Sequence, residues 1–214
     1  MEYPNYEDYQ RIYQKYTNPQ NLCYMMDFAG KDYTDKYFLD ICCGAGDAMV
    51  EAGKRNAHLR FGIDKSTEMV NHDNVKYCLY QPVHQALNSE TIKDFRFDIV
   101  FCRQAINYWI THTTIANLAS LMKKDSLFIF NTFNTKPNVK PTVKTYKIDG
   151  INFTEVSYLI GYMVYHVQIR EDYKPHLTNF CWVSREGFKD YLSKYFKFDI
   201  HTKKKTDIYV CKRR

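Results

Sequence analysis

Short apolar runs, broken by glycines and polar turns, set the rhythm of the first two thirds of the chain. Tyr37–Cys42, Leu59–Ile63, Val75–Leu79, Phe97–Phe101 and Ser126–Phe130 read as interior strands. Segments after Gly46, after Ser66, around Gln85–Phe95 and from Thr113 to Met122 supply helices or irregular crossovers between them. Upstream, Tyr6–Tyr16 and Asn21–Phe28 read as two helical pieces separated by "TNPQ" and closed by Gly30, and residues 1–30 form an expected N-terminal lid.

The pattern changes after "NTFNTKPNVKP" (131–141). Residues 143–172 carry aromatic and β-branched runs broken at Asp149-Gly150 and near Gly161, so antiparallel strands are expected there, on the substrate side of the molecule. "SREGFKDYLSKYF" (184–196) reads as a helix capped by Ser184, with Phe188, Leu192 and Phe196 on one stripe. Phe198–His201 and Ile208–Cys211 then give two terminal strands joined through the lysine turn. The expected fold is α/β: a doubly wound, mostly parallel seven-stranded sheet with antiparallel terminal strands and a late antiparallel insertion, all in a single domain over 1–214.

Composition narrows the class. A chain of 214 residues with 45% apolar and 25% charged residues reads as a soluble globular protein, no apolar run reaches the roughly 20 residues of a membrane span, and the polar, acid-containing start is unlike a secretory or organellar signal. A cytoplasmic location is expected. The seven cysteines lack the paired spacing of a zinc site and read as reduced, buried apolar residues, so no metal is expected. The net charge of +6 is concentrated: Lys203–Arg214 holds six Lys and Arg against Asp207, five of the six formal charges. The remainder is close to neutral and supplies no basic groove for nucleic acid.

The chemistry is expected where a strand meets glycine and then a helix, "YFLDICCGAGDAMVEAGK" (37–54). That order presents backbone N–H groups to a ligand, and Gly44 and Gly46 let the backbone approach closely. Asp64 ends the next strand 18 residues after Gly46, beside the turn in an open α/β sheet and within reach of ribose hydroxyls. A Gly-x-Gly-x-x-Gly dinucleotide turn fits poorly, because Cys42, Asp47 and Met49 stand where its glycines belong.

Leu39-Asp40-Ile41-Cys42-Cys43-Gly44-Ala45-Gly46 resembles the first motif of the class I, seven-stranded S-adenosylmethionine-dependent methyltransferases, and "DKSTEM" (64–69) resembles their Asp-x-Ser-x-x-Met run. The resemblance, which covers roughly residues 10–135, implies S-adenosyl-L-methionine as cofactor. Asp40, Cys42, Gly44 and Gly46 would lie along the turn, with Asp40 and Gly44 near the methionine portion. Asp64 would take the ribose diol, and Lys65, Met69 and Gln81 the adenosine edge. Cys42 stands in place of a family glycine, which an ordinary strand conformation would accommodate, and Gln81 stands where an aspartate is common. Asp98 matches the acid that starts the fourth strand. Cys102 and Arg103, beside Gln104, occupy that strand's carboxyl end, and Tyr16, with Tyr13, belongs to a segment that folds over the cofactor in many small-molecule members.

Asn107, Tyr108 and His112 follow where methyl acceptors commonly sit. His166, Gln168 and Arg170 alternate along one face of a late strand, either as a wall over the acceptor or as a solvated sheet face. Tyr108, His112 and His166 are therefore the expected catalytic residues, and Arg170 a partner for a substrate carboxylate. The expected reaction is methyl transfer to N or O of a small molecule. An RNA- or protein-directed methyltransferase is the first alternative and a noncatalytic nucleotide-type binding protein or an oxidoreductase the second. The acceptor and the oligomeric state are left open.

Overall fold

The computed structural model describes residues 19–214 apart from Asp149 and Asp172. The helix expected over Tyr6–Tyr16 lies outside them, as do Tyr13 and Tyr16. The second helical piece is α1 (Pro19–Met26), followed by a 3-10 turn, Asp27–Ala29, and stopped at Gly30, whose φ of 100° suits glycine.

From there β1 (Tyr37–Ile41), α2 (Asp47–Lys54), β2 (Leu59–Ile63), β3 (Cys78–Leu79), α3 (Val83–Ala86), β4 (Phe97–Cys102), α4 (His112–Ser120) and β5 (Met122–Phe133) follow in order. Four antiparallel strands come next, β6 (Thr142–Ile148), β7 (Ile151–Ile160), β8 (Met163–Arg170) and β9 (Tyr173–Cys181), then α5 (Arg185–Leu192), β10 (Phe196–Lys203) and β11 (Thr206–Arg213). The main sheet has the order β10-β11-β5-β4-β1-β2-β3, and β6–β9 form a second sheet in sequence order. In the main sheet β1 is parallel to β2 and β4, and β4 to β5, while β11 runs antiparallel to both β5 and β10.

Period-two alternation explains why this sheet is covered on both faces. Phe38 packs with Leu22, Met25 and Met26 of α1 and with Ala48 and Ala52 of α2. Its neighbours Leu39 and Ile41 turn the other way, into the cluster with Ile115 and Leu118 of α4 and Phe188 and Leu192 of α5. Burying a side chain of this size stabilises the fold by roughly 1.5–3 kcal/mol. Ser184 caps α5 by accepting from the Gly187 N–H at 3.1 Å.

Several expectations need correction. The run Val75–Leu79 is a strand only at Cys78–Leu79, because Val75 is turned into a small cluster with Cys43, Met49 and Val70. Of the two forms expected after Ser66, helix or irregular crossover, the segment takes the second: Asp64 and Asn71 each bond the backbone two residues ahead, holding it in turns. The crossover around 85–95 is helical only over Val83–Ala86. β5 is longer than Ser126–Phe130, because it steps out of register with β4 between Met122 and Leu127, where Asp125 has a φ of 64°. The insertion expected over 143–172 spans Thr142–Cys181 and has a fourth strand. Phe196 begins β10 and is not the end of a helix. The terminal strand expected over Ile208–Cys211 extends over Thr206–Arg213 as β11, an interior strand with Ile208, Tyr209 and Cys211 buried, so it takes in most of the basic stretch. Its cations are spent locally, Lys212 on Asp125 at 3.0 Å and Arg213 on the Ala119 carbonyl at 3.0 Å.

Candidate active site

The carboxyl ends of β1 and β4 lie side by side, and both strands stop abruptly there. Cys42 has a φ of 59° and Gln104 a φ of 58°, left-handed values that non-glycine residues adopt at a cost. Cys42 therefore lacks the ordinary strand conformation that would accommodate it in place of the family glycine. Cys42 is half-buried and packs against the core cluster, and burial pushes its thiol pKa well up. Cys42→Gly is expected to be more stable than Cys42→Ala by about 1 kcal/mol, reversing the order found at ordinary strand positions. Chemical denaturation measures this, and an alanine variant at least as stable as the glycine variant refutes it.

The two turn glycines do different jobs. Gly46, at φ 80°, caps α2, and a Cβ there would lie 2.5 Å from Val75 Cγ2 and 2.9 Å from Asn74 Cβ, so packing against the crossover excludes a side chain. Gly44, at φ 47°, has no atom within 4 Å of where its Cβ would be. It leaves bare backbone facing open space, as a ligand approaching the main chain requires. Its own N–H donates to Asp64 Oδ2 at 2.9 Å, while Asp64 Oδ1 accepts from the Ser66 N–H at 3.0 Å. The acid ending β2 thus faces the glycine turn, and each of its oxygens keeps a further lone pair. Burial raises its pKa, opposed by those two backbone bonds.

Between these strand ends lies a small cleft lined by residues that include Asp40, Cys42, Gly44, Asp47, Arg103 and Gln104. Asp40 is buried at its floor with its pKa raised to about 8, chiefly by desolvation, with Arg103 pulling it down and Asp64 and Asp47 pushing it up. Arg103 Nη2 donates to Asp47 Oδ2 at 3.0 Å across the mouth. Asp47 was missed as a site residue; its signal was a carboxylate at the first position of the helix after the turn. Asn131 Oδ1 accepts from the Gln104 N–H at 2.7 Å and holds the β4 break in place, a contact between residues far apart in sequence.

The other expected cofactor residues are distributed around this cleft. Gln81 follows β3 two residues after Leu79, whose carbonyl accepts from the Asp64 N–H at 3.2 Å, so it lies on the same sheet edge. Lys65 is exposed and Met69 half-buried in the turns after Asp64. Cys102 is fully buried beneath the cleft, and desolvation raises its thiol pKa to about 12. Asp98 does the job of a strand-start acid: Oδ2 accepts from the Tyr37 N–H and from Lys123 Nζ, each at 2.8 Å.

The second sheet is tied to this edge through Asn107. Its Nδ2 donates to the Cys181 carbonyl and its Oδ1 accepts from Thr132 Oγ1, both at 2.7 Å. The Tyr108 ring meets Phe180 edge-on at 5.4 Å. Phe180 pairs with Val164, so it shares its face with His166 and Gln168. The sheet therefore turns that face toward the β4 edge. His166 Nδ1 is 2.8 Å from Ser157 Oγ, while Gln168 Nε2 and the Tyr146 hydroxyl both donate to Glu155 Oε1, at 3.2 and 2.6 Å. Burial lowers the His166 pKa, opposed by Glu155, so its imidazole is neutral near pH 7. Tyr108 and His166 thus belong to surfaces that meet. His112 does not join them: it starts α4, exposed, with Nε2 3.3 Å from Asp190 Oδ2 and its ring against Tyr191 of α5. Ser157 and Glu155 had no sequence signal, because their partners come from neighbouring strands.

Residues 38–125 match a family model described as a methyltransferase domain. No curated protein matches the chain. Solved structures do. An S-adenosylmethionine-dependent methyltransferase from Clostridium acetobutylicum ATCC 824 aligns with a TM-score of 0.72 at 15% identity over 96% of each chain. S-adenosylmethionine-bound CalS10, an amino pentose methyltransferase from Micromonospora echinaspora, gives 0.74 at 13% identity over 100% of each chain. DesVI from Streptomyces venezuelae gives 0.67 at 11% identity over 100% of each. The strand order, the glycine turn and these similarities agree that the chain has the class I, Rossmann-like fold of the S-adenosylmethionine-dependent methyltransferases.

Proposed function

We propose that the chain binds S-adenosyl-L-methionine at the β1–β4 edge and transfers its methyl group to N or O of a small molecule. The observation that carries the reading is the Asp64 carboxylate facing bare backbone at Gly44, beside a cleft floored by the buried Asp40. The donor set suits this cofactor: Asp64 can accept from the two ribose hydroxyls, Asp40 can face a cationic group, and Arg103 can meet a carboxylate. When bound, the cofactor supplies an activated methyl group, so the protein needs no nucleophile of its own. The work left to the chain is alignment, exclusion of water and care of the acceptor's proton. The neutral His166, with Tyr108 opposite, is suited to orient the acceptor and take that proton.

A small acceptor is favoured because the basic end of the chain is not a continuous free track: Lys212 is paired with Asp125 and Arg213 donates to the Ala119 carbonyl of α4. CalS10, by its description an amino pentose methyltransferase, matches the whole chain. Seven free cysteines accord with a cytoplasmic location.

The test is calorimetric titration with S-adenosylhomocysteine, followed by mass spectrometry of a panel of small amines and phenols incubated with the chain and cofactor. Binding in the micromolar range and a singly methylated product are expected. His166→Ala should lower turnover at least about 10-fold while leaving S-adenosylhomocysteine affinity unchanged. A folded protein that does not bind S-adenosylhomocysteine at millimolar concentration refutes the assignment, and methylation of added RNA alone moves it to the RNA-directed reading.

A further inference from the structure

Two thiols meet behind the glycine turn. Cys43 Sγ and Cys78 Sγ lie 3.9 Å apart, although 35 positions separate them in sequence. They approach from either side of β2: Cys43 follows β1, and Cys78 opens β3 and pairs with Gly62 on the strand between. Gly62 leaves the space in which they meet. No left-handed φ requires a glycine there, yet a Cβ would lie 2.8 Å from Cys43 Sγ and 3.0 Å from Val75 Cγ1. Cys43 is buried, whereas Cys78 is half-buried on β3, the edge strand of the sheet. The contact with Cys78, and then burial, holds the Cys43 thiol pKa up, so Cys78 is the member that meets an oxidant first.

We infer that Cys43 and Cys78 form a reversible disulfide that switches off the turn at Gly44. Its effect on the cofactor rests on the function proposed above; the bond itself does not. Hydrogen peroxide oxidises Cys78 Sγ to a sulfenic acid as the O–O bond breaks, and one water leaves. Cys43 Sγ then attacks that sulfur, its proton departing with the hydroxyl as a second water, and the S–S bond forms. A dithiol reductant restores both thiols by exchange and is itself oxidised to a disulfide. Closure brings the sulfurs from 3.9 Å to about 2.05 Å, so the two segments are drawn together by up to about 1.9 Å. A preorganised site tolerates only about 0.5 Å. Both segments belong to the site: the Cys43 carbonyl accepts from the Gly46 N–H at 2.9 Å, Cys43 precedes Gly44, whose N–H holds Asp64, and Cys78 lies three residues before Gln81. The Gly44–Asp64 hydrogen bond is therefore expected to break in the oxidised chain.

Treating the reduced full chain with hydrogen peroxide and mapping its peptides by mass spectrometry tests the bond without reference to any ligand. A linked peptide pair joining Cys43 to Cys78, lighter by two hydrogens and separated again by dithiothreitol, is expected. Cys43→Ser and Cys78→Ser should each abolish it. In the oxidised chain the Gly44 amide, followed by NMR, should exchange at least about 10-fold faster. S-adenosylhomocysteine, titrated by calorimetry, should bind at least about 10-fold more weakly. Dithiothreitol should reverse both changes, and peroxide should produce neither in Cys78→Ser. Absence of the Cys43–Cys78 bond overturns the inference, as does a bond that leaves Gly44 exchange and ligand affinity unchanged. A reduced chain that does not bind S-adenosylhomocysteine counts against the proposed function alone, and the bond and the Gly44 exchange then decide the inference.

Discussion

Asp64→Ala is expected to weaken S-adenosylhomocysteine binding by about 100-fold, close to 3 kcal/mol, the scale of losing charge-assisted hydrogen bonds to two hydroxyls in a half-buried site. The carboxylate also accepts from Gly44 and Ser66, so the alanine variant frees two backbone donors and disturbs the turn. Asp64→Asn separates the effects. It keeps one acceptor oxygen and the shape of the site but loses the charge and turns an NH2 toward one of the two backbone donors, so about a 10-fold loss of affinity is expected with a smaller fall in melting temperature than in Asp64→Ala. Calorimetry with a parallel thermal melt gives both numbers. If Asp64→Ala binds S-adenosylhomocysteine as tightly as the parent chain, the ribose role is wrong and the cofactor lies elsewhere.

The second large effect is a pH dependence centred on Asp40. Burial raises its pKa to about 8 in the folded chain, well above its ordinary value of 3.8. Between those values the folded state holds a proton that the unfolded state has released. The resulting stability is fully present below about pH 4 and is lost progressively as pH rises through 8. The loss amounts to at most about 6 kcal/mol. Asp64 contributes with the same sign and His166 with the opposite sign, so the parent's own pH profile mixes several groups. The difference between the parent and Asp40→Asn isolates Asp40: relative to the asparagine variant, the parent should lose stability from pH 4 to pH 8. The ligand-linked corollary is sharper. A cationic ligand beside Asp40 favours the ionised carboxyl, so binding of S-adenosylmethionine at pH 7 should release protons and tighten as pH rises from 6 to 8. Calorimetry in two buffers of different ionisation enthalpy counts those protons, and Asp40→Asn should abolish the release. Identical apparent enthalpies in both buffers for the parent would show that Asp40 is not linked to the ligand.

The legible part of this protein was the part governed by local periodicity. Leu59–Ile63 is a strand over just the residues its apolar run marked, the breaks at Gly150 and Gly161 divide real antiparallel strands, and Ser184 caps the helix it introduces. Each follows from interactions within a few residues, which a sequence displays directly. The glycine turn and Asp64 were legible for the same reason, since strand, turn and strand end are all local and a parallel sheet brings their carboxyl ends to one edge. Less local features were not legible. The segment after Ser66 could be a helix or an irregular crossover, and the side chains of Asp64 and Asn71 decide it by satisfying its backbone in turns. The lysine-rich end showed its charge but not its partners, because Asp125 and the Ala119 carbonyl reach Lys212 and Arg213 only through the fold.

The sequence by itself determined the alternation of strands and crossovers, the turn at Gly44 and Gly46, and the acid that ends the second strand, because these depend on side-chain period and backbone freedom within short windows. Only the tertiary structure decided that Cys42 sits in a left-handed conformation, that Gly46 answers to packing while Gly44 answers to open space, and that Arg103 meets Asp47. It also placed His166 with Ser157 on the face turned toward Tyr108 and set His112 against Asp190. Apart from Ser157 and His166, nine positions apart on paired strands, those are contacts between residues tens of positions apart, fixed by strand order and sheet packing, and no spacing along the chain encodes them.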